Sequence, residues 1–379
     1  MPGVVPDLPS YADPMPRPRV VALLAPEGPR LHDPQAPVVA ADDAGLTRGD
    51  GCFDSALVIP VDAGGDDRQA GDDPGPTHQV VDLPGHLARL AASARALEIP
   101  APDEAAWTEL VATALRAWPE PGEATLRLTL TRGPESGGPP RAFVTLTDRA
   151  AGRPQRGAAA TTTRPVRAVT LSRGHPSDAF VDAPWLLGGV KTLSYAVNTA
   201  ALREARRRGA DDVIFTSTDG YALDAPTAGL LVVRDGAVLS TPTGGTGILA
   251  STSIGAILAA AEAEGRSARH ELVQVADLLT ADGVWLVASS RGPTPVGELD
   301  GRAVPVDDGL VADVDALGVW LGRTVEVELD VGCRVASSRA SGDALSPVHA
   351  PTPSARASSS AAVRYITPVL HAVTPMVAA

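Results

Sequence analysis

Lysine and asparagine are almost absent from this chain: Lys191 is the only lysine and Asn198 the only asparagine among 379 residues. Every other permanently cationic side chain is arginine, which points to a coding bias against both residue types. The exception is the informative part. A solvated lysine tolerates replacement by arginine, whereas a lysine that must lose its proton and attack a carbonyl does not, because guanidinium stays protonated. Lys191 therefore reads as a chemical residue of the Schiff-base kind. Chance survival on a solvated face is the bland alternative.

Cysteine is scarce too. Cys52 and Cys333 have no metal-ligand spacing and allow at most one disulfide, so neither a zinc site nor a disulfide framework is expected. Cys52 reads as a small buried hydrophobe. Aromatics make up 3% of the chain and its net charge is −13, with no basic cluster, which argues against nucleic acid as a partner. The longest apolar run near the start, VVALLA at 20–25, is too short for a membrane span or most signal peptides. A cytoplasmic protein with no membrane partner is expected, long enough for about two domains.

Residues 1–18 are proline-rich and read as a loose arm. RVVALLAP predicts a strand and a turn at Glu27 and Gly28; PVVA predicts a short strand, and Cys52 to Val61 a longer one. Residues 62–79 are acidic and glycine-rich, an exposed loop. Two amphipathic helices follow, PGHLARLAASARALEI with Arg89 near its beginning, and Asp103 to Trp118. ATLRLTLTRG then alternates, Leu126, Leu128 and Leu130 on one side, Thr125, Arg127 and Thr129 on the other. RAFVTLTD is a further strand, and this α/β domain spans 19–155. After a linker, VRAVTLSRG is a strand and Tyr195 to Arg208 a helix closed by Gly209. VIFTSTDGYALD and AGLLVVRDGAVLSTP predict hairpins turning at Asp219-Gly220 and Asp235-Gly236. In GGTGILASTSIGAILAAAEAEG a glycine loop leads through Ser251, Thr252 and Ser253 into a helix, whose free amides and positive dipole end can bind phosphate. Ordinary N-capping by a serine is the alternative. ADGVWLVASSRG repeats the arrangement at a strand end with Ser289.

One reactive lysine and one phosphate cup suggest pyridoxal phosphate. The stretches DDAGLTRGDGCF, HLARLAASA, RLTLTRG, WLLGGVKTLSYAVNTAALREARRRGADDVIF, STDGYALDAPT, TGIL and DGVWLVASSRG arrive in an order that resembles the class IV aminotransferases, the fold-type IV pyridoxal-phosphate enzymes. Within them the chain looks most like the actinobacterial aminodeoxychorismate lyases. The resemblance runs from about Val21 to Trp320. It implies an α/β (α+β) enzyme with a small N-terminal domain and a larger β-rich cofactor-binding domain over 160–322. It also implies a homodimer acting on a small amino substrate. Residues 335–379, rich in alanine, serine and proline, lie beyond it and read as a disordered tail.

Carried over by position, the resemblance makes Lys191 the lysine that bears the cofactor. Tyr195, one turn further along the same helix face, would bond the cofactor's phenolic oxygen. Arg89 would grip the phosphate with a bidentate contact, and Thr252, Ser253 and Ser289 would complete the cup. Asp224 stands where the family places a glutamate against the pyridine nitrogen, one methylene shorter. The LASTS loop likewise has Ser251 and Ser253 in place of the family's glycine and threonine. Arg127 is the candidate for the substrate carboxylate, and Arg132 a second one. Release of pyruvate from 4-amino-4-deoxychorismate is the implied reaction. A branched-chain or D-amino-acid aminotransferase, and a relative that has lost catalysis, are the alternatives.

Overall fold

Strictly alternating leucines put one flank of a strand against helices and leave the other flank for chemistry, and this arrangement opens the chain. The computed structural model describes residues 19–61, 78–149, 164–311 and 314. The first sheet holds β1 (Val20–Ala25), β2 (Gly28–His32), β3 (Gly51–Pro60), β4 (His78–Val80), β5 (Ala124–Thr131) and β6 (Arg141–Asp148). All pair antiparallel, in the order β2-β1-β6-β5-β3-β4. A four-residue helix α1 (Ala44–Thr47), capped by Asp43, precedes β3. Helices α2 (Leu83–Ala96) and α3 (Glu104–Arg116) pack on one face. Leu87, Leu90, Trp107, Leu110 and Val111 meet Leu126, Leu128 and Leu130 there. Each leucine so buried contributes roughly 1.5–3 kcal/mol. Arg127, one residue out of phase, is directed to the opposite face.

The second sheet is mixed. It comprises β7 (Val166–Ser172), β8 (Asp212–Thr216), β9 (Gly229–Arg234), β10 (Ala237–Ser240), β11 (Ala268–His270), β12 (Gly283–Ala288), β13 (Gly292–Leu299) and β14 (Arg302–Ala303). Their order is β11-β10-β9-β12-β13-β7-β8, with β14 on β13. Helix α4 (Ala196–Arg207) crosses between the parallel β7 and β8. It is closed by Gly209 at φ +76°, with Glu204 on Arg208 at 2.8 Å. Helix α5 (Thr252–Ala263) covers β10 and β12 through Ile254, Ile257 and Leu258. All the described residues belong to one compact unit, Met1–Val327. Among them no helix is long and apolar enough to cross a membrane, and no three metal-ligating side chains gather.

Several expectations need correction. PVVA forms no strand; the partner of β1 is the less apolar GPRLH, brought back by Gly28 at φ +116°. His78 and Gln79, expected in a loop, pair with β3. Tyr195 is not helical; it is the residue that precedes α4. VIFTSTDGYALD is no hairpin of two strands: β8 ends in a tight turn with single bridges Thr216–Ala222 and Tyr221–Gln274. The Asp235-Gly236 hairpin is present, both residues at positive φ. The arm, most of the acidic loop, the linker and residues 335–379 lie outside the described residues.

Candidate active site

The site is built around β3. Phe53 donates its backbone N–H to the Lys191 carbonyl at 3.0 Å, and Leu193 donates to Gly51 at 2.8 Å, so the Lys191 segment lies along β3 as an extended strip. Lys191 is therefore not on a helix face, and its N–H is taken by Ser93 Oγ of α2 at 3.2 Å. The close approach requires glycine. A Cβ on Gly51 would stand 2.6 Å from Leu130 O and Leu193 Cδ1.

The Phe53 ring gathers three predicted residues. Lys191 Nζ lies 4.8 Å and the Arg127 guanidinium 3.7 Å from its centroid, and Tyr195 meets it edge-on at 5.4 Å. Burial pushes the Lys191 amine down to about 8, and the nearby Arg89 cation adds to the effect. Apoenzyme should therefore react with pyridoxal phosphate faster as pH rises from 7 to 9, levelling above about 8 as the amine becomes neutral. A stopped-flow pH series checks this. The Tyr195 hydroxyl donates to Pro226 O at 2.6 Å, a carbonyl that also accepts from Asn198.

Two charged groups in this cleft have no counter-charge at bonding distance among the described residues. Arg127 is half-buried, stacked on Phe53 and paired with no carboxylate; burial lowers its pKa. Asp224 is half-buried yet lies deep enough for burial to push its carboxyl up to about 6, against the opposing pull of Arg173 and Lys191. Unpaired groups of opposite sign beside a buried amine suit a ligand carrying both an anionic and a protonated-nitrogen function.

At the other end, Ser251 caps α5 by accepting from Ile254 N, leaving the Thr252 and Ser253 amides at the helix start. Ser253 Oγ lies 3.2 Å from Ser289 Oγ. Arg89 reaches this point through Nη1, which donates to Ala250 O at 3.1 Å. Its Nε and Nη2 both bond Asp54, each at 2.7 Å, so a phosphate would meet the guanidinium at its other edge. Arg132 is engaged by the protein itself. It pairs with Asp50 and donates to the Leu97 and Glu98 carbonyls past the end of α2.

Sequence reading missed Phe53, Ser93 and the fully buried Asp54. The one available signal was an acid inside the apolar run GCFDSALVIP, with His86 and Arg89 at i,i+3 spacing on a helix.

A sequence model of the amino-transferase class IV family matches residues 77–299. The chain belongs to that family. A bifunctional aminodeoxychorismate lyase / D-amino acid transaminase of Mycobacterium tuberculosis is 38% identical over 286 residues, 73% of this chain and 90% of that protein. A fold IV-transaminase of Curtobacterium pusillum superposes with TM-score 0.67 at 38% identity, covering 80% of this chain and 99% of its own. The PLP-bound form of a hypothetical aminotransferase from M. tuberculosis gives 0.67 at 35% identity, over 79% and 99%. As a class IV aminotransferase this chain is a pyridoxal-phosphate enzyme, and its residues fit the cofactor. A neutral-leaning amine suits the aldehyde, the unpaired Asp224 suits the ring nitrogen, and the start of α5 with Ser253 and Ser289 suits the phosphate.

Proposed function

We propose that this class IV aminotransferase is a 4-amino-4-deoxychorismate lyase, which releases pyruvate and forms the 4-aminobenzoate needed for folate synthesis. The observation that carries the reading is the 38% identity across nine-tenths of the M. tuberculosis protein whose name includes that activity. The site supports it chemically, because Arg127 offers an unpaired cation to a substrate carboxylate beside the Lys191 amine.

Lys191 would hold the cofactor through Nζ, Asp224 would hold its ring nitrogen protonated, and the α5 start would hold its phosphate. Pyridoxal phosphate, when bound, supplies an electron sink for breaking a C–H bond next to nitrogen. Lys191 Nζ, free beside the reacting carbon, would take the proton. Its pKa near 8 suits a base working near neutrality. Arg127, fixed over Phe53, orients the substrate through its carboxylate. In the lyase the C–H electron pair would become the new ring double bond as the C–O bond to the enolpyruvyl group breaks, and the proton held on Lys191 Nζ would return to the departing enolpyruvate, giving pyruvate and an aromatic ring.

D-amino-acid transamination is the second reading, favoured by the other half of that relative's name. A branched-chain reading has less support: the Methanocaldococcus jannaschii relative so named is 29% identical over 37% of this chain. The amine and carboxylate poised in the cleft argue against a relative that has lost catalysis. A homodimer is the proposed assembly, with Trp185, Leu186 and Val197 exposed for a second copy, in the cytoplasm. The two sheets are proposed as two domains, 19–155 and 160–322. The purified enzyme is expected to be yellow and to yield 4-aminobenzoate and pyruvate in equal amounts from 4-amino-4-deoxychorismate. Keto-acid formation from D-alanine without pyruvate from the chorismate would transfer the assignment to transamination. Arg127→Met should raise KM roughly 10- to 100-fold with a smaller effect on kcat, as loss of a charge-assisted pair implies.

A further inference from the structure

The most completely enclosed charged cluster in the described chain lies outside the chemistry just derived. Asp54, on β3 immediately after Phe53, is fully buried. It takes both donors of the Arg89 fork, Nε and Nη2, at 2.7 Å, and meets His86 Nδ1 at 2.7 Å. His86 is itself buried. With these partners Asp54 stays ionised, its pKa held at about 2 although burial opposes this. A carboxylate only accepts, so His86 donates through Nδ1. The guanidinium that remains is anchored on one edge and free on the other. That free edge donates through Nη1 to Ala250 O, one residue before the cap of α5.

We propose that Asp54, supported by His86, is a positioning residue for the cofactor phosphate. It fixes Arg89, which fixes the Ala250 carbonyl and so aims the Thr252 and Ser253 amides. The proposal rests on the reading that the start of α5 is the phosphate cup. Three observations favour it over a plain structural brace. Asp54 satisfies two separate donor residues, both of them on α2. Asp54 holds the Nε–Nη2 edge of Arg89, so the opposite edge is turned toward the cup, where Nη1 also holds the Ala250 carbonyl. And Phe53, the neighbouring residue on the same strand, orders the lysine end, so β3 sets both ends of the site at a fixed separation.

The test compares two ligands on stripped apoenzyme, pyridoxal 5′-phosphate and pyridoxal, which differ only in the phosphate. Binding is followed by visible absorbance, and folding by near-ultraviolet circular dichroism. Asp54→Asn should weaken pyridoxal 5′-phosphate about 10-fold or more, the size of a lost charge-assisted bond, with pyridoxal changed less than 3-fold. His86→Gln, which leaves the Asp54–Arg89 pair intact, should show the same split at about 3-fold, and it carries the test should Asp54→Asn not fold. Equal loss for both ligands, or no loss, overturns the positioning role. The underlying reading fails separately if Ser253→Ala combined with Ser289→Ala leaves the parent's preference for the phosphorylated ligand unchanged.

Discussion

Replacing Lys191 with alanine is expected to lower turnover by roughly 10⁴ or more, because in the proposed mechanism one amine would both carry the cofactor and move the proton. The fold should survive. The backbone contacts that seat this segment, Lys191 O to Phe53 and Lys191 N to Ser93, do not involve the side chain. The buried amine is also a burden on the apoprotein. Its folded pKa near 8 lies below the ordinary 10.5, so the unfolded chain binds the proton more readily, and the cost is fully present below pH 8. Thermal unfolding of the apo variant at pH 7 should therefore occur at or above the parent temperature. Turnover within tenfold of the parent would show that another group is the base.

Asp224→Asn should separate stability from catalysis. The carboxyl's folded pKa near 6 lies above its ordinary 3.8, so the folded state holds the proton more tightly. Stability contributed by the protonated form is present below about pH 4 and is lost as pH rises through 6. At pH 8 the ionised carboxylate costs the apoprotein at most about 3 kcal/mol, which the amide removes. Apo Asp224→Asn should thus unfold at a higher temperature than the parent at pH 8 and at the same temperature near pH 4. Turnover should fall on the order of 100-fold, because an amide does not hold the ring nitrogen protonated. Asp224→Glu should keep activity. Single-turnover kinetics beside the melting curves check both halves; a variant that is more stable and equally fast would remove Asp224 from the site.

The periodic elements were legible in the sequence because their cores are made of regular leucine spacing. Helices α2 and α3 and strand β5 follow from that spacing, and β3 and β6 from short apolar stretches bounded by turn residues. Short β2 and β4 did not, since five and three residues carry no measurable alternation and their pairing is decided by β1 and β3. Lys191 was singled out as the one lysine of the chain, Arg127 by its place on the polar side of an alternating strand, and Asp224 only through the family resemblance. The helix placed under Lys191 was an error of extrapolating the α4 period backwards; hydrogen bonds to β3 from Lys191 and Leu193 override it. Arg89 and Arg132 show the limit of reading cations singly. Their roles are set by Asp54 and Asp50, acids distant from them in sequence, which direct one guanidinium to the cup and withdraw the other.

The single lysine makes the central claim directly measurable. Enzyme loaded with pyridoxal phosphate, reduced with borohydride, digested and mapped by mass spectrometry should carry one pyridoxyl phosphate group, on the Lys191 side chain, with loss of the visible absorbance band. Recovery of unmodified Lys191 peptide with the cofactor released, or a label on the chain's α-amino group in its place, would contradict a site organised around Lys191.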